Sequence, residues 1–86
     1  MFVHFNQAFK KRYKKFHNKK RKLFEEKLKL FINNPFDPIL NNHPLKGEYK
    51  GCRSINIGGD MRAIYILPEK DDVLFTALGT HDELYS

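Results

Sequence analysis

Four histidines are the side chains of this sequence suited to exchanging protons near neutral pH: His4, His17, His43 and His81. No other chemically suggestive group stands close to His4 or His17, and both read as structural or solvent-facing. The other two keep different company. His43 lies in the polar, turn-rich stretch NNHPLKGEYKG, and His81 follows the last apolar run, four residues before Tyr85. Between them come Asp60 and the cations Lys46, Lys50, Arg53 and Arg62. Cleavage of a phosphodiester in RNA needs a base for the 2′-OH proton, an acid for the leaving 5′ oxygen, and cations for the charge gathering on phosphorus. Two imidazoles with Lys and Arg meet those needs, Asp60 can orient or charge one of them, and Tyr85 can stack on an unpaired base or donate to a phosphate. The His and carboxylate positions form no compact ligand spacing, so neither a metal nor another cofactor is expected. Each residue also has a plainer reading, with the histidines capping or packing at strand ends, Asp60 serving a turn, Arg53 and Arg62 flanking a sheet, and Tyr85 sealing a core.

The elements that would carry these residues follow from periodicity. MFVHF reads as a first strand, and Asn6 stands where an N-cap opens a helix. Phe5, Phe9, Tyr13 and Phe16 keep a three-to-four spacing, the pattern of one amphipathic helix. HNKK interrupts it, then Leu23, Phe24, Leu28, Phe31 and Ile32 restart it until Pro35 and Pro38 exclude continuation. Strand-sized runs follow: CRSINI, RAIYIL and VLFTALG, joined through GGD and PEKDD. The expected fold is α+β in the order β-α-α-β-β-β, an antiparallel meander with a helical hairpin on one face and a closing helical turn from His81 to Tyr85. The uncovered face is left for chemistry.

Eighty-six residues suit one domain, residues 1–86, with a single modest core and no room for a deep cavity. Hydrophobic residues make up 41%, which supports a folded chain and argues against disorder. Cys52 is alone, so no internal disulfide forms and a reducing compartment, the cytosol, is expected. No apolar run approaches the roughly 20 residues that cross a bilayer, and no membrane association is expected. The net charge of +6 is unevenly spread: Ala8 to Phe31 holds eleven of the sixteen Lys and Arg against two acids, a local +9 that leaves −3 elsewhere. Such a field suits a polyanion, nucleic acid first, although a solvated helix face or an acidic protein partner fits it too.

In order and spacing, HPLKG, GCR, GGDMRAIY and GTHDELY resemble the RelE superfamily of bacterial toxins from type II toxin-antitoxin operons, in particular its YafQ-like branch. The likeness extends over nearly the whole chain and is most specific from Asn42 to Ser86. It implies a ribosome-dependent endoribonuclease that cuts messenger RNA by 2′-OH attack. His43 would match the family's loop histidine, Asp60 its hairpin aspartate, His81 the C-terminal histidine that resembles a proton donor, and Tyr85 the terminal aromatic. Arg53 and Arg62 would match arginines of the wider family and, with Lys46 and Lys50, would hold phosphate, while the helical lysines dock on 16S ribosomal RNA. A cognate antitoxin would cover the active face or the basic helices. Asn56 departs from the pattern, standing where the YafQ-like branch has a strand histidine; an amide can orient a phosphate but carries no charge and transfers no proton. That departure leaves open an attenuated RNA-binding module, and the shared fold leaves open a gyrase inhibitor of the ParE type.

Overall fold

The computed structural model describes Met1–Tyr85; Ser86, the last residue of the expected domain, lies outside the described residues. Asn6 caps the first helix as its type and place predict, its Oδ1 accepting from the Phe9 amide at 2.8 Å. That helix, α1 (Gln7–Lys14), ends on Lys11, Arg12 and Lys14, where cations complement the helix dipole. The second helix, α2 (Asn18–Asn33), has no acid in its first turn and places Lys19, Lys20 and Arg21 there, with Lys22 next, against its own dipole. Helix stability does not account for that placement. One 3₁₀ turn (Pro38–Leu40) follows the proline stop, and another (Gly47–Tyr49) precedes the meander.

Five strands form one sheet in the order β1-β5-β4-β3-β2: β1 (Phe2–Phe5), β2 (His43–Pro44), β3 (Arg53–Gly58), β4 (Met61–Ile66) and β5 (Asp72–Thr80). The meander β3-β4-β5 is antiparallel as its hairpin connections predict, whereas β1 joins β5 in parallel, Val3 opposite Val73 and Phe5 opposite Phe75. What reads as loop around His43 is a two-residue strand, with His43 opposite Ser54 and Pro44 opposite Arg53. Two residues are too few for periodicity to reveal.

Alternation assigns the faces. Ile55, Ala63 and Leu78 form one cross-strand row, Tyr65 and Phe75 another, and all five are buried in the core beneath α1 and α2. Phe9, Phe24 and Phe31 supply the helical side, with the Phe9 and Phe24 rings 5.3 Å apart and Phe31 5.0 Å from Tyr65. Two irregularities reset the parity. Thr76 has no partner between the pairs Ile64–Ala77 and Tyr65–Phe75, which lets Phe75 and Leu78, three residues apart, both face the helices. Ile57 is likewise extra between Asn56 and Gly58, and a Cβ on Gly58 would meet Leu23 Cδ2 at 2.5 Å, so glycine there lets α2 lie close on the sheet. On the opposite face two mixed rows remain: His43, Ser54, Ile64 and Ala77, and beside it Asn56, Arg62 and Gly79.

Candidate active site

The open face carries a shallow cleft of about 290 Å³ lined by Asn41, His43, Leu45, Ser54, Arg62, His81 and Tyr85. Both candidate proton carriers therefore share one wall-to-wall site with a guanidinium and a phenol, although 38 positions separate His43 from His81 in sequence.

His43 is held by its ring. Asn41 sits in the left-handed region at φ 45°, which turns its carbonyl back so that it lies 2.8 Å from His43 Nδ1. A carbonyl only accepts, so Nδ1 carries the proton of the neutral ring and Nε2 keeps its lone pair. That is the tautomer a general base requires.

His81 and Tyr85 are set by a short terminal helix, α3 (His81–Tyr85), whose i to i+4 spacing puts both rings on one face with centroids 4.7 Å apart. Five residues would not hold a helix alone. Thr80 and Glu83 form a reciprocal cap: the Glu83 amide donates to Thr80 Oγ1 at 3.2 Å, and the Thr80 amide donates to Glu83 Oε1 at 2.8 Å. Glu83 also pairs with Arg12 of α1. The Tyr49 hydroxyl donates to the Leu84 carbonyl at 2.8 Å, and the Tyr49 ring meets Tyr85 edge-on at 5.5 Å. The chain end is thus fastened from α1, from the Gly47–Tyr49 turn and through its own cap.

Arg62 is anchored by one nitrogen. Its Nη1 donates toward Asn56 Oδ1 at 3.0 Å, the Gly59 carbonyl at 3.0 Å and the Met61 carbonyl at 3.2 Å. Among the described residues Nε and Nη2 make no hydrogen bond, and they form the side-on fork suited to two oxygens of a phosphate. Asn56, expected against substrate, instead spends its carbonyl oxygen on this arginine.

The remaining candidates are not brought into the cleft. Arg53 opposes Tyr65 on the helix-covered face, donates from Nε to Asn42 Oδ1 at 2.8 Å and lies 5.3 Å over the Phe36 ring, so it braces the loop before His43. Asn42 completes that brace through the Pro35 carbonyl at 2.9 Å and the Tyr65 hydroxyl at 2.8 Å. Asp60 is exposed at the β3–β4 turn; its carbonyl accepts the His81 amide at 3.2 Å, and among the described residues its carboxylate makes no hydrogen bond or ion pair. Its contribution here is through the backbone. Lys50 is exposed beyond the Gly47–Tyr49 turn, and Lys46 lines a neighbouring hollow. A further hollow of about 260 Å³ lies among Phe5, Phe9, Tyr13, Phe24 and Leu28. Its one phenol, Tyr13, is pushed above the ordinary tyrosine value by burial first and by Glu25 second, so it stays protonated and offers no base. Among the described residues no three His, Cys, Asp or Glu side chains converge as metal ligands.

Comparison with known proteins adds what geometry alone does not. The sequence model of one family, described as a bacterial toxin of type II toxin-antitoxin system, YafQ, matches residues 1–86. The chain belongs to this toxin family. A protein named mRNA interferase toxin YafQ, from Escherichia coli strain K12, is 38% identical over 58 residues, which cover 65% of this chain and 62% of that protein. The crystal structure of YafQ from E. coli strain BL21(DE3) matches with a TM-score of 0.79 at 27% identity, covering 98% of this chain and 97% of that one. A chain of the E. coli DinJ-YafQ toxin-antitoxin complex matches at 25% identity with a TM-score of 0.70, over 98% of this chain and 96% of that one.

In this toxin three parts of the site escape a reading of residue types. Thr80 and Glu83 were legible in principle, since T-x-x-E is the spacing of a capping box. Tyr49 and Ser54 carry no such signal. Ser54 is fully buried on the floor of the cleft, and among the described residues its hydroxyl has no partner.

Proposed function

We propose that this toxin is a metal-independent endoribonuclease that cuts messenger RNA on the ribosome. His43 Nε2 takes the 2′-OH proton, and the 2′ oxygen attacks the adjacent phosphorus. The P–O5′ bond breaks, and the leaving oxygen takes a proton from His81, giving a 2′,3′-cyclic phosphate and a 5′-hydroxyl. The free fork of Arg62 meets the charge that develops on the phosphoryl oxygens, and Tyr85 stacks on a neighbouring base. The observation that supports this reading best is the cleft itself, which joins His43, His81, Arg62 and Tyr85 while Asn41 fixes the basic tautomer of His43.

The ribosome completes the picture on electrostatic grounds. Lys19, Lys20 and Arg21 in the first turn of α2 oppose the helix dipole. Arg21 also holds the Lys14 carbonyl and Lys20 lies over the Phe16 ring. Together with the other cations of the two helices they suit an external polyanion, for which ribosomal RNA phosphates are the fitting target. A cognate antitoxin is the second partner, as the E. coli relative is found in a toxin-antitoxin complex. Action on translating ribosomes would be cytoplasmic.

Induction of the toxin followed by primer extension on a transcript tests the proposal. Wild type should give discrete cuts that require translation, and His81→Gln should give none. Cuts of equal strength from the variant would overturn the role of His81. DNA damage in place of cut transcripts would favour a gyrase inhibitor.

A further inference from the structure

Immediately beyond Tyr85 the surface holds a second hollow of about 270 Å³, lined by Lys46, Glu48, Tyr49, Leu84 and Tyr85. The Tyr85 ring is the wall it shares with the catalytic cleft. We infer that this hollow is a base-reading subsite for the nucleotide downstream of the cut, with Glu48 as the residue that determines specificity. The inference rests on the nuclease reading given above.

Strand polarity gives the assignment. The leaving 5′ oxygen belongs to the downstream nucleotide, and the group that serves it is His81. Tyr85 stands beside His81, with ring centroids 4.7 Å apart, so the chain that departs from His81 passes Tyr85 on that side. The hollow beyond is wide enough for one base, and its walls are set before RNA arrives: Tyr49 is fixed through its hydroxyl to the Leu84 carbonyl at 2.8 Å. Lys46 gives the adjoining phosphate a cation.

Glu48 is the telling group. It is the one carboxylate lining either hollow, on a chain with a net charge of +6, and a carboxylate beside phosphates costs binding unless the ligand uses it. It forms no ion pair among the described residues, even with Lys46 in the same hollow. An ionised carboxylate only accepts. Guanine presents N1–H and N2–H side by side and satisfies both oxygens at once. Uracil presents two carbonyls flanking a single N–H and sets like against like. The subsite therefore favours guanine and disfavours uracil at the first position after the cut.

Messages identical except for that base, programmed into ribosomes, test the inference by the rate of cutting. Wild type should cut the guanine form roughly tenfold faster than the uracil form, in keeping with a good bidentate base contact. Glu48→Gln, which keeps the shape but adds a donor, and Glu48→Ala should both bring that ratio close to one. Glu48 is exposed, so both variants should melt with wild type. A ratio unchanged in the variants, or a wild type indifferent to that base, would overturn the subsite and leave the nuclease standing. Absence of any cut by wild type would overturn the nuclease reading itself.

Discussion

Thr80→Val removes one hydroxyl and keeps the side-chain shape, and its consequence can be worked from the cap geometry. The substitution deletes the bond from the Glu83 amide to Thr80 Oγ1 at 3.2 Å and leaves the reciprocal bond from the Thr80 amide to Glu83 in place. Loss of an N-cap of this kind costs about 1 kcal/mol. None of α3 is buried, so the cost falls on the order of that short helix and little of it on the core beneath β5. At 25 °C about 1 kcal/mol is roughly a fivefold shift in an equilibrium, here between a wound and a frayed chain end. Only the wound form holds His81 and Tyr85 on one face, so cleavage should fall by up to about fivefold. Hydrogen exchange at the Leu84 and Tyr85 amides should rise by at most about the same factor, most where the helix stays largely wound and cleavage falls least, and the melting temperature should barely move. Single-turnover cleavage on programmed ribosomes, run beside exchange measurements, gives both numbers. Exchange that shows the helix mostly frayed in the variant, with undiminished cleavage, would refute the reasoning, because the chemistry would then not need the helix.

Four further outcomes follow from the same contacts. Asn56→Ala withdraws the side-chain oxygen from Arg62 Nη1 and should slow cleavage by about fivefold, the worth of one hydrogen bond near 1 kcal/mol, while Asn56→Asp, which keeps the acceptor, should retain the rate. Ser54→Ala removes a buried hydroxyl without a partner among the described residues and should leave stability equal or higher by up to about 1 kcal/mol in a urea titration; a clear loss would reveal a partner. Arg53→Ala should cost about 1–2 kcal/mol by the same titration through the lost bond to Asn42 and the lost stacking on Phe36, with cleavage by the folded fraction close to wild type. Glu83→Gln should weaken the tie to Arg12, and the deficit in cleavage relative to wild type should shrink as salt is raised, since an exposed ion pair is screened.

Much of the architecture was legible because it rests on local chemistry. The three-to-four spacing from Phe5 to Phe16, Asn6 as cap and Pro35 as stop define two helices without reference to anything distant, and the turn residues between CRSINI, RAIYIL and VLFTALG define the meander. The resemblance to the RelE superfamily likewise rests on motif order, and the match over residues 1–86 agrees with its YafQ-like branch. Sequence could also name a chemically sufficient set, His43, Asp60, His81 and Tyr85 with Lys46, Lys50, Arg53, Asn56 and Arg62, because proton transfer, stacking and phosphate binding are properties of residue types, but it could not say which of them share a cleft.

Which of those residues meet was decided by tertiary structure alone. Arg53 and Ser54 are neighbours in sequence, yet the pleat sends one to the helix-covered face and the other to the floor of the cleft, and only pairing with Tyr65 and Ile64 fixes which is which. Asn56 reads as a lost catalytic group until β4 brings Arg62 opposite it, where it becomes the arginine's anchor. The tautomer of His43 depends on the left-handed turn at Asn41, and the order of the chain end depends on Arg12 and Tyr49, which are 71 and 36 positions away from Glu83 and Tyr85. Residue type sets what a side chain can do; strand register and packing set what it faces, and those are sums over contacts distant in sequence.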